Sequence, residues 1–515
     1  MNLNKLFTAL RQRVNSPARI QRAERHERYT HALEQFLDGH QPAVRLGGVY
    51  TLANLADEWL TDASLPEQVR REEAQTIVDA LTGCIRTPYP LAQNRQILEA
   101  DEAPEGYEGD FARDQVALRE EQLVRRTVFM ELSRRFAAVT ERNEKGNGES
   151  QHTVPSLSPT WSDLRFDFGG APIFYPLRQL HFQNADFASA TFYGPADFSG
   201  AAFRGDTSFS AAQFTADASF HGATFTGEAD FSDAVFSAAA DFGVASFEAD
   251  ANFSHLNTAG IASFTAITFG GKAIFTASTF HDEAHFAASV FNRPAVFSDS
   301  LFGGAARFAG IATKQSAMFL DTSFAGAADF SGASFTHLAD FGRAQFDGDA
   351  TFSQASFIER PRTSYDRELP QYADFGHAAF AQDADFSKAT FTACVGFGGV
   401  TFARAVSFNG VSFEGAYFEG ATFGQRADFR QTSFMFVKPS FEALERRLPR
   451  ARFSAQADPQ DYLFEARPES AHGFSCGTAE LLNRTFILPI GAVLYDPDSW
   501  DEEKQDYTRF SEPAQ

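Results

Sequence analysis

Phenylalanine recurs along the middle of this chain at intervals that alternate between five and six residues. The pattern holds from Phe198 to Phe357, resumes at Phe375 and continues to Phe434, with one residue lost between Phe413 and Phe418. The whole chain of 515 residues contains 58 Phe but only 4 Met and 3 Trp. Irregular cores need side chains of several shapes, so a core built from one ring indicates one site copied many times. The spacing predicts a repeat protein.

Two further columns accompany the rings. A small residue stands two positions before each Phe, as at Ala196 and Ala229, and Asp or Asn stands one position before it, as at Asp197 and Asn252. In an extended chain, residues two apart share a face, so Phe and Ala point inward and Asp points outward. An α-helix is excluded, because a five-then-six spacing places successive rings on different helical faces. Glycines such as Gly200, Gly205 and Gly227 are expected at corners with left-handed backbone angles.

The repeating motif stands clearly in three segments: Ala196-Asp197-Phe198-Ser199-Gly200, Ala229-Asp230-Phe231-Ser232-Asp233 and Ala384-Asp385-Phe386-Ser387-Lys388. These segments resemble the pentapeptide-repeat family, whose unit is Ala-(Asp/Asn)-(Leu/Phe)-x-x. The resemblance implies a mainly β solenoid, a right-handed quadrilateral β-helix. Here the repeat is an 11-residue double unit, so a four-sided coil takes 22 residues and about eleven or twelve coils are expected, rising by roughly 4.8 Å each.

Two positions break the lattice in the same way. Where Phe is expected, the chain has Thr258 and Thr313, and the small residue two positions earlier becomes Leu256 and Ile311. The exchange roughly conserves interior volume, which packed cores tolerate. We interpret both places as repacked coils rather than binding sites.

The chain divides into four predicted parts: an α-helical domain at 1–143, a flexible linker at 144–160, the β-helix at 161–434, and a C-terminal cap with an acidic tail at 435–515. The predicted helices begin at Pro42, span Glu67 to Ile85, and span about Ala112 to Thr140. Trp161 to Pro176 is expected to cap the first coil. Arg484 to Tyr495 is a candidate strand, and the last residues of the tail are expected to be loose.

The segment from Ala43 to Tyr50 is similar to the helical module that precedes many bacterial pentapeptide repeats. Membrane spans often stand upstream of that module, but Met1 to Glu27 contains none, so membrane anchoring is not expected. The three cysteines, Cys84, Cys394 and Cys476, form neither a disulfide framework nor a zinc motif. Their arrangement fits a cytoplasmic location.

The charge and motif content argue against catalysis and against direct binding of nucleic acid. The formal net charge is −23, which repels phosphate backbones. The segment from His281 to His285 lacks the Glu after the first His that a zinc-protease helix needs, and Gly270-Gly271-Lys272 is not a phosphate loop. We predict no catalytic residues, no cofactor and no metal site.

One insertion, 358–371, interrupts the lattice between Phe357 and Phe375. It carries several arginines and a tyrosine on an otherwise acidic surface, and Arg and Tyr are common interface anchors. The candidate partner-binding residues are Glu359, Arg360, Arg362, Tyr365, Asp366 and Arg367. A tolerated surface insertion is the alternative.

These features favour a non-catalytic protein-interaction scaffold with an unidentified protein partner. The alternative is an acidic mimic of nucleic acid that regulates a type II topoisomerase such as DNA gyrase, as some members of the resembled family do. A homodimer is compatible with the sequence, because coil ends and a long charged helix both offer self-complementary surfaces.

Overall fold

A computed structural model describes residues 17–39, 41–144, 161–177, 181–358, 373–443 and 448–515. The chain forms two compact units, which are Met1–Ala218 with Phe225–Gly227, and Ser219–Thr224 with Glu228–Gln515. The fold is a β-solenoid of about 11 turns with coils of about 22 residues, preceded by five helices within the described residues. The predicted solenoid with a helical N-terminal region is confirmed. No helix in these described ranges is long and apolar enough to span a bilayer.

The α-helices that the structure describes all lie in the first unit. They are α1 (Pro17–Phe36), α2 (Pro42–Thr61), α3 (Glu67–Arg86), α4 (Arg95–Leu98) and α5 (Phe111–Glu144), and short 3-10 turns lie at Ala92–Asn94 and Trp161–Asp163.

The predicted start of α2 at Pro42 is confirmed. Proline is tolerated there because a backbone N–H in the first helical turn has no partner within the helix. The apolar side chains on one side of this helix, including Val49, Leu52 and Trp59, are buried.

Each coil has four sides, which we call faces 1 to 4 in chain order. The strands of face 1 are Phe166–Asp167, Ala185–Asp186, Thr207–Ser208, Ala229–Asp230, Ala251–Asn252, Ala273–Ile274, Ala295–Val296, Ala317–Met318, Ala339–Asp340 and Ala373–Asp374. Those of face 2 are Pro172–Ile173, Thr191–Phe192, Gln213–Phe214, Val235–Phe236, Asn257–Thr258, Thr279–Phe280, Leu301–Phe302, Ser323–Phe324, Gln345–Phe346, Ala379–Phe380, Thr401–Phe402, Thr422–Phe423, Arg452–Ser454 and Val493–Tyr495.

The strands of face 3 are Ala196–Asp197, Ala218–Ser219, Ala240–Asp241, Ala262–Ser263, Ala284–His285, Ala306–Arg307, Ala328–Asp329, Ala350–Thr351, Ala384–Asp385, Val406–Ser407, Ala427–Asp428 and Tyr462–Leu463. Those of face 4 are His181–Gln183, Ala202–Arg204, Thr224–Phe225, Ser246–Phe247, Thr268–Phe269, Val290–Phe291, Ala312–Thr313, Ser334–Thr336, Ser356–Ile358 and Ser433–Phe434. Two longer strands, Thr390–Gly396 and Ser412–Tyr417, run from face 4 into face 1. The four faces therefore form three parallel sheets.

The interior of the second unit is a set of stacked rings. Along face 3, Phe264 lies 5.0 Å from Phe242 and 4.9 Å from Phe286 between ring centroids, with nearly parallel planes. Rings 22 residues apart therefore stack, which confirms the predicted coil length over these coils. Rings from opposite faces also meet edge to face, as Phe264 and Phe275 do at 5.2 Å and 87°. Both geometries suit the aromatic quadrupole, so one repeated side chain can fill the interior.

The predicted cap from Trp161 to Pro176 is wrong in part. Phe166–Asp167 and Pro172–Ile173 are themselves strands of the first coil. The end of that coil is covered instead by α5, whose Phe129 stacks on Phe168 with ring centroids 4.6 Å apart. An apolar helix face closes the open ring stack because water would otherwise contact the exposed ring.

The C-terminal region continues the stack before it departs from it. Phe453 stacks on Phe423 at 4.5 Å, and Phe464 stacks on Phe429 at 5.4 Å. Two antiparallel pairs follow, Cys476–Leu481 with Arg484–Pro489 and Trp500–Asp501 with Asp506–Tyr507, and 3-10 turns lie at Pro459–Asp461 and Pro497–Ser499.

Two C-terminal expectations differ from the structure. The predicted strand from Arg484 to Tyr495 is two separate strands, because the chain turns at Gly491, whose φ is 88°. The predicted loose end of the tail is wrong: the Thr478 N–H donates to the Gln515 carbonyl at 3.0 Å, and the Ala514 N–H donates to Ala492 at 2.9 Å.

Glycines occur at the corners for two different reasons. Gly200 and Gly205 have φ of 64° and 67°, as predicted. Gly227 does not have a left-handed φ, so its predicted role is wrong. A Cβ atom there would lie 2.2 Å from the backbone carbon of Gly205, so close approach of neighbouring coils requires a glycine.

Candidate interaction surface

Three buried hydroxyl groups in the second unit bind the backbone. Ser278, Ser289 and Thr322 replace the usual small alanine and are fully buried. Their hydroxyls donate to carbonyl oxygens of the coil before, namely Phe253 at 2.7 Å, Phe264 at 2.6 Å and Phe297 at 2.9 Å. Each hydroxyl is satisfied inside the wall of the solenoid, and none is presented to a substrate.

The outward aspartates have a structural role that the sequence analysis did not assign. The carboxylate of each accepts a hydrogen bond from the backbone N–H two residues later, which closes an Asx turn at the corner. The bonds measure 2.8 Å from Gly243 to Asp241, 2.8 Å from Ser331 to Asp329, and 2.8 Å from Ser387 to Asp385. The repeated Asp is therefore explained by folding, and only its arrangement over several coils carries information about binding.

Face 3 of the second unit contains an acidic groove of about 600 Å³. The groove runs over five coils. The residues that line it are mostly small or acidic. The groove is lined by Ala327, Ala328, Asp329, Asp349, Ala350, Thr351, Asp383, Ala384, Asp385, Ala405, Val406, Ser407, Arg426 and Asp428. Five aspartates against one arginine make it a negative surface on a rigid support.

The carboxylates of the groove are held by the coils themselves. Asp349 accepts the N–H of Asp383 at 3.3 Å, and Asp383 accepts the N–H of Ala405 at 3.2 Å, so each bridges to the next coil. Partial burial opposes ionisation of Asp428, but hydrogen bonds from Arg430 and the charge of Arg426 outweigh it and lower the pKa of this carboxyl from its ordinary value. The two arginines therefore stabilise the ionised form of the Asp428 carboxylate.

The groove was only partly visible in the sequence. Asp329 and Asp385 were recognised as outward, but the structure brings them to either side of Thr351 through the pairings Asp329↔Thr351 and Thr351↔Asp385. That neighbourhood depends on the register across the insertion, which spacing alone does not give. The signal that could have found it is the coil-length recurrence of Asp, corrected for the insertion length.

The predicted partner-binding residues Glu359, Arg360, Arg362, Tyr365, Asp366 and Arg367 lie outside the described residues. Their role stays a prediction from the sequence. The face 1 strands of the coils before and after the insertion, Ala339–Asp340 and Ala373–Asp374, pair directly with each other, so these coils stack in register.

The histidine pair at 281 and 285 forms no common site. The Nε2 atom of His285 lies 2.8 Å from the carboxylate of Glu283, which also binds Arg307 at 2.9 Å. This is a surface ion-pair network. In the ranges that the structure describes, no three His, Cys, Asp or Glu side chains come together as metal ligands.

The helices of the first unit contain a buried charged cluster. Glu121 of α5 accepts hydrogen bonds from Arg45 at 2.5 Å and from Arg125 at 2.7 Å. Burial opposes its ionisation, but these two arginines lower the pKa of Glu121 from its ordinary value. Arg125 also donates to the carbonyls of Ile85 and Thr87 at 2.8 and 3.0 Å, at the C-terminal end of α3.

The cluster positions helices rather than a ligand. The Arg125 guanidinium lies 5.3 Å from the Phe174 ring centroid, so the same side chain links α3, α5 and the first coil. Burial raises the pKa of the neighbouring Cys84 thiol, which makes this thiol a poor nucleophile. No spacing in the sequence points to this cluster, since its members are far apart along the chain.

Comparison with known proteins agrees with this architecture. A family model described as pentapeptide repeats in nine copies matches residues 187–235 and 386–433. No curated protein matches the chain. No solved structure matches it either.

Proposed function

Since this chain belongs to the pentapeptide-repeat family, we propose that it is a non-catalytic protein-interaction scaffold that acts in the cytoplasm. The observation that carries the proposal is the acidic groove on face 3, where Asp329, Asp349, Asp383, Asp385 and Asp428 lie on consecutive or neighbouring coils. Stacked coils hold these carboxylates with little freedom, so a partner meets a prepared surface and little ordering entropy is lost on binding.

The chemistry of the groove favours a basic protein surface as the ligand. Aspartates supply acceptors only, while Arg and Lys supply the donors that carboxylates bind most strongly. The outward positions between the carboxylates are occupied by Thr351 and Ser407, whose short side chains leave room for long flexible cations. The proposal therefore predicts a partner with clustered Arg or Lys at the contact.

The test is affinity capture of partners from the native host with the intact protein and two charge-matched variants. The groove variant carries Asp329→Asn, Asp383→Asn and Asp385→Asn, because Asn keeps the side-chain oxygen that caps the backbone while removing the charge. The control variant carries Asp230→Asn, Asp241→Asn and Asp347→Asn, which remove the same charge outside the groove. We expect mass spectrometry to find proteins retained by the wild type and the control but lost from the groove variant. Equal capture by all three forms would reject the groove as the binding surface.

The acidic groove also favours a second candidate, a nucleic-acid mimic that regulates a type II topoisomerase such as DNA gyrase. Carboxylates that recur along a rigid β-helix present negative charge at intervals near the coil rise, as a phosphate backbone presents charge at regular steps. A supercoiling assay with purified gyrase tests it. Inhibition by the wild type that is lost in the groove variant supports this candidate, and an unchanged supercoiling rate at micromolar wild-type protein rejects it.

A further inference from the structure

Face 1 of the second unit changes character over three consecutive coils. At the outward strand position, Asp230 and Asn252 stand before this segment, and Asp340 and Asp374 stand after it. Between them the same position holds Ile274, Val296 and Met318, which pair in register as neighbours in the sheet. We call these three residues the apolar stripe. They are partly exposed.

The apolar stripe gives up a stabilising interaction that its neighbours keep. Asn252 accepts the N–H of Ser254 at 3.1 Å and Asp340 accepts the N–H of Gly342 at 2.9 Å, each closing an Asx turn. A hydrocarbon or thioether side chain cannot close that turn. The core gains nothing in return, because the inward residue of each strand is a fully buried Ala, as at Ala295. Folding of the coil therefore does not explain the three apolar residues.

The spacing of the stripe suits a helix lying along the solenoid axis. The rings beneath it, Phe275, Phe297, Phe319 and Phe341, stack at 4.9, 4.9 and 4.8 Å. One turn of an α-helix rises about 5.4 Å, so apolar residues three and four apart on a helix meet successive members of the stripe. Leu320, which is partly exposed two residues after Met318, adds apolar surface beside the stripe.

The charges around the stripe would orient a helix bound along it. At one end Asp340 and Asp374 stand side by side in the sheet, and burial together with the charge of Asp374 raises the pKa of Asp340 despite its backbone hydrogen bond. Two adjacent carboxylates repel each other, so a cation above them is favoured.

The long edges of the stripe differ in sign. Lys272 and Arg293 lie at the corner that precedes face 1. Asp299 and Asp321 lie at the corner that follows it, and Asp321 is paired with Arg343 at 2.6 Å. The charges of the two edges thus roughly balance. Arg343 also acts on Asp340, but it is already paired with Asp321, so the two carboxylates leave this end acidic.

We propose that Ile274, Val296 and Met318, with Asp340 and Asp374 at one end, form a docking site for an amphipathic helix of a partner protein that carries basic residues at the matching end. The inference rests on the proposed scaffold function and assigns it a second surface, on a different face from the groove. The helix covers the stripe with its apolar side and places Lys or Arg over the two carboxylates.

The test uses the full chain and a fluorescent amphipathic peptide of Leu and Lys, about fourteen residues or roughly 21 Å as a helix. Binding is followed by fluorescence anisotropy. The stripe variant carries Ile274→Asp, Val296→Asn and Met318→Asp. It copies the native Asp230–Asn252 arrangement, in which Asn252 donates to Asp230 at 3.1 Å, and it restores the Asx acceptors, so it is expected to fold. We expect its affinity for the peptide to fall by at least about tenfold, as loss of roughly 1.4 kcal/mol of contact implies.

The control variant makes the same substitutions on face 4 of the same coils, Thr268→Asp, Val290→Asn and Ala312→Asp, and should bind as the wild type does. The Asp340→Asn/Asp374→Asn variant should bind more weakly and show a smaller salt dependence. Equal binding by the wild type and the stripe variant would overturn the proposal. So would concentration-dependent self-association of the wild type that the stripe variant abolishes, since the stripe would then bind a second copy of this chain.

The groove variant separates this proposal from the scaffold function of face 3. It should keep its affinity for the peptide if the stripe is the site, and a loss confined to the groove variant would place the peptide in the groove and overturn the stripe. Failure of the stripe test leaves groove-dependent capture of partners untouched.

Discussion

The hydroxyl of Thr322 donates to the carbonyl oxygen of Phe297 at 2.9 Å inside the solenoid wall. Thr258 is equally buried, but its hydroxyl has no hydrogen-bond partner. Both threonines thus place a hydroxyl group in the buried interior, and they differ in whether that hydroxyl is hydrogen-bonded. An unsatisfied buried hydroxyl destabilises the folded state, whereas a bonded one does not.

The substitution Thr→Val should have opposite effects at these two positions. Thr258→Val removes an unpaired polar group at nearly constant shape and should raise the free energy of unfolding by about 1 kcal/mol. Thr322→Val removes the hydrogen bond to the Phe297 carbonyl. It should lower the free energy of unfolding by about 1 kcal/mol. Guanidinium unfolding followed by circular dichroism measures both. Destabilisation by Thr258→Val as large as that by Thr322→Val would contradict the assignment.

Val244→Gly should stabilise the protein. Val244 has φ of 59° and is 59% exposed, and a β-branched residue in the left-handed region is strained by about 1–2 kcal/mol. Glycine removes the strain and loses some entropy in exchange, so a net gain of about 0.5–1 kcal/mol is expected. The corresponding corners already hold Gly222 and Gly310, with φ of 65° and 64°.

The matched control for this corner is Val235→Gly, in a face 2 strand with a similar partly exposed side chain. Glycine weakens a strand, so this variant should be less stable than the wild type. A loss of stability in both variants, measured by thermal unfolding, would show that the corner at Val244 is not strained.

Asp62 makes the stability of the helical unit depend on acid. Hydrogen bonds from Ser64 and Arg25 hold the pKa of the Asp62 carboxyl at about 2, below its value of about 3.9 in unfolded chains. The folded-state pKa is depressed, so the stabilisation is fully present above about pH 4 and is lost as the pH falls through about 2. The difference in unfolding free energy between wild type and Asp62→Asn should be constant from pH 5 to 7 and shrink below pH 4. Urea titrations of the helical signal measure it, and a difference independent of pH would count against this role.

Deletion of residues 359–370 should leave the fold intact and weaken partner capture. The six-residue step from Phe357 to Phe375 is then restored, and the face 1 strands of the coils before and after the insertion already pair directly. A full-length variant with Arg360→Ala, Arg362→Ala and Arg367→Ala is the matched control for length. If both variants fold by circular dichroism and capture partners as the wild type does, the insertion has no part in binding.

Spacing predicted the solenoid because its interior is periodic. One inward ring every five or six residues determines which face of each strand is buried, and the same side chains then stack from coil to coil. The helices beginning at Pro42 and Glu67 were found for the same reason, since each carries an apolar stripe. The helix Pro17–Phe36 was missed, because much of its surface is exposed and its few buried residues, such as Ala32 and Phe36, make no clear period.

The sequence by itself determined the repeat, the ring-filled core and the outward direction of the aspartates, because these depend on residues close together in the chain. The tertiary structure decided which outward residues become neighbours. Asp329, Asp385 and Asp428 share a groove, and Ile274, Val296 and Met318 share a stripe, only through the register between coils. Arg45 and Glu121 meet only through helix packing. Such contacts join positions far apart in the sequence, so the local spacing of residues cannot predict them.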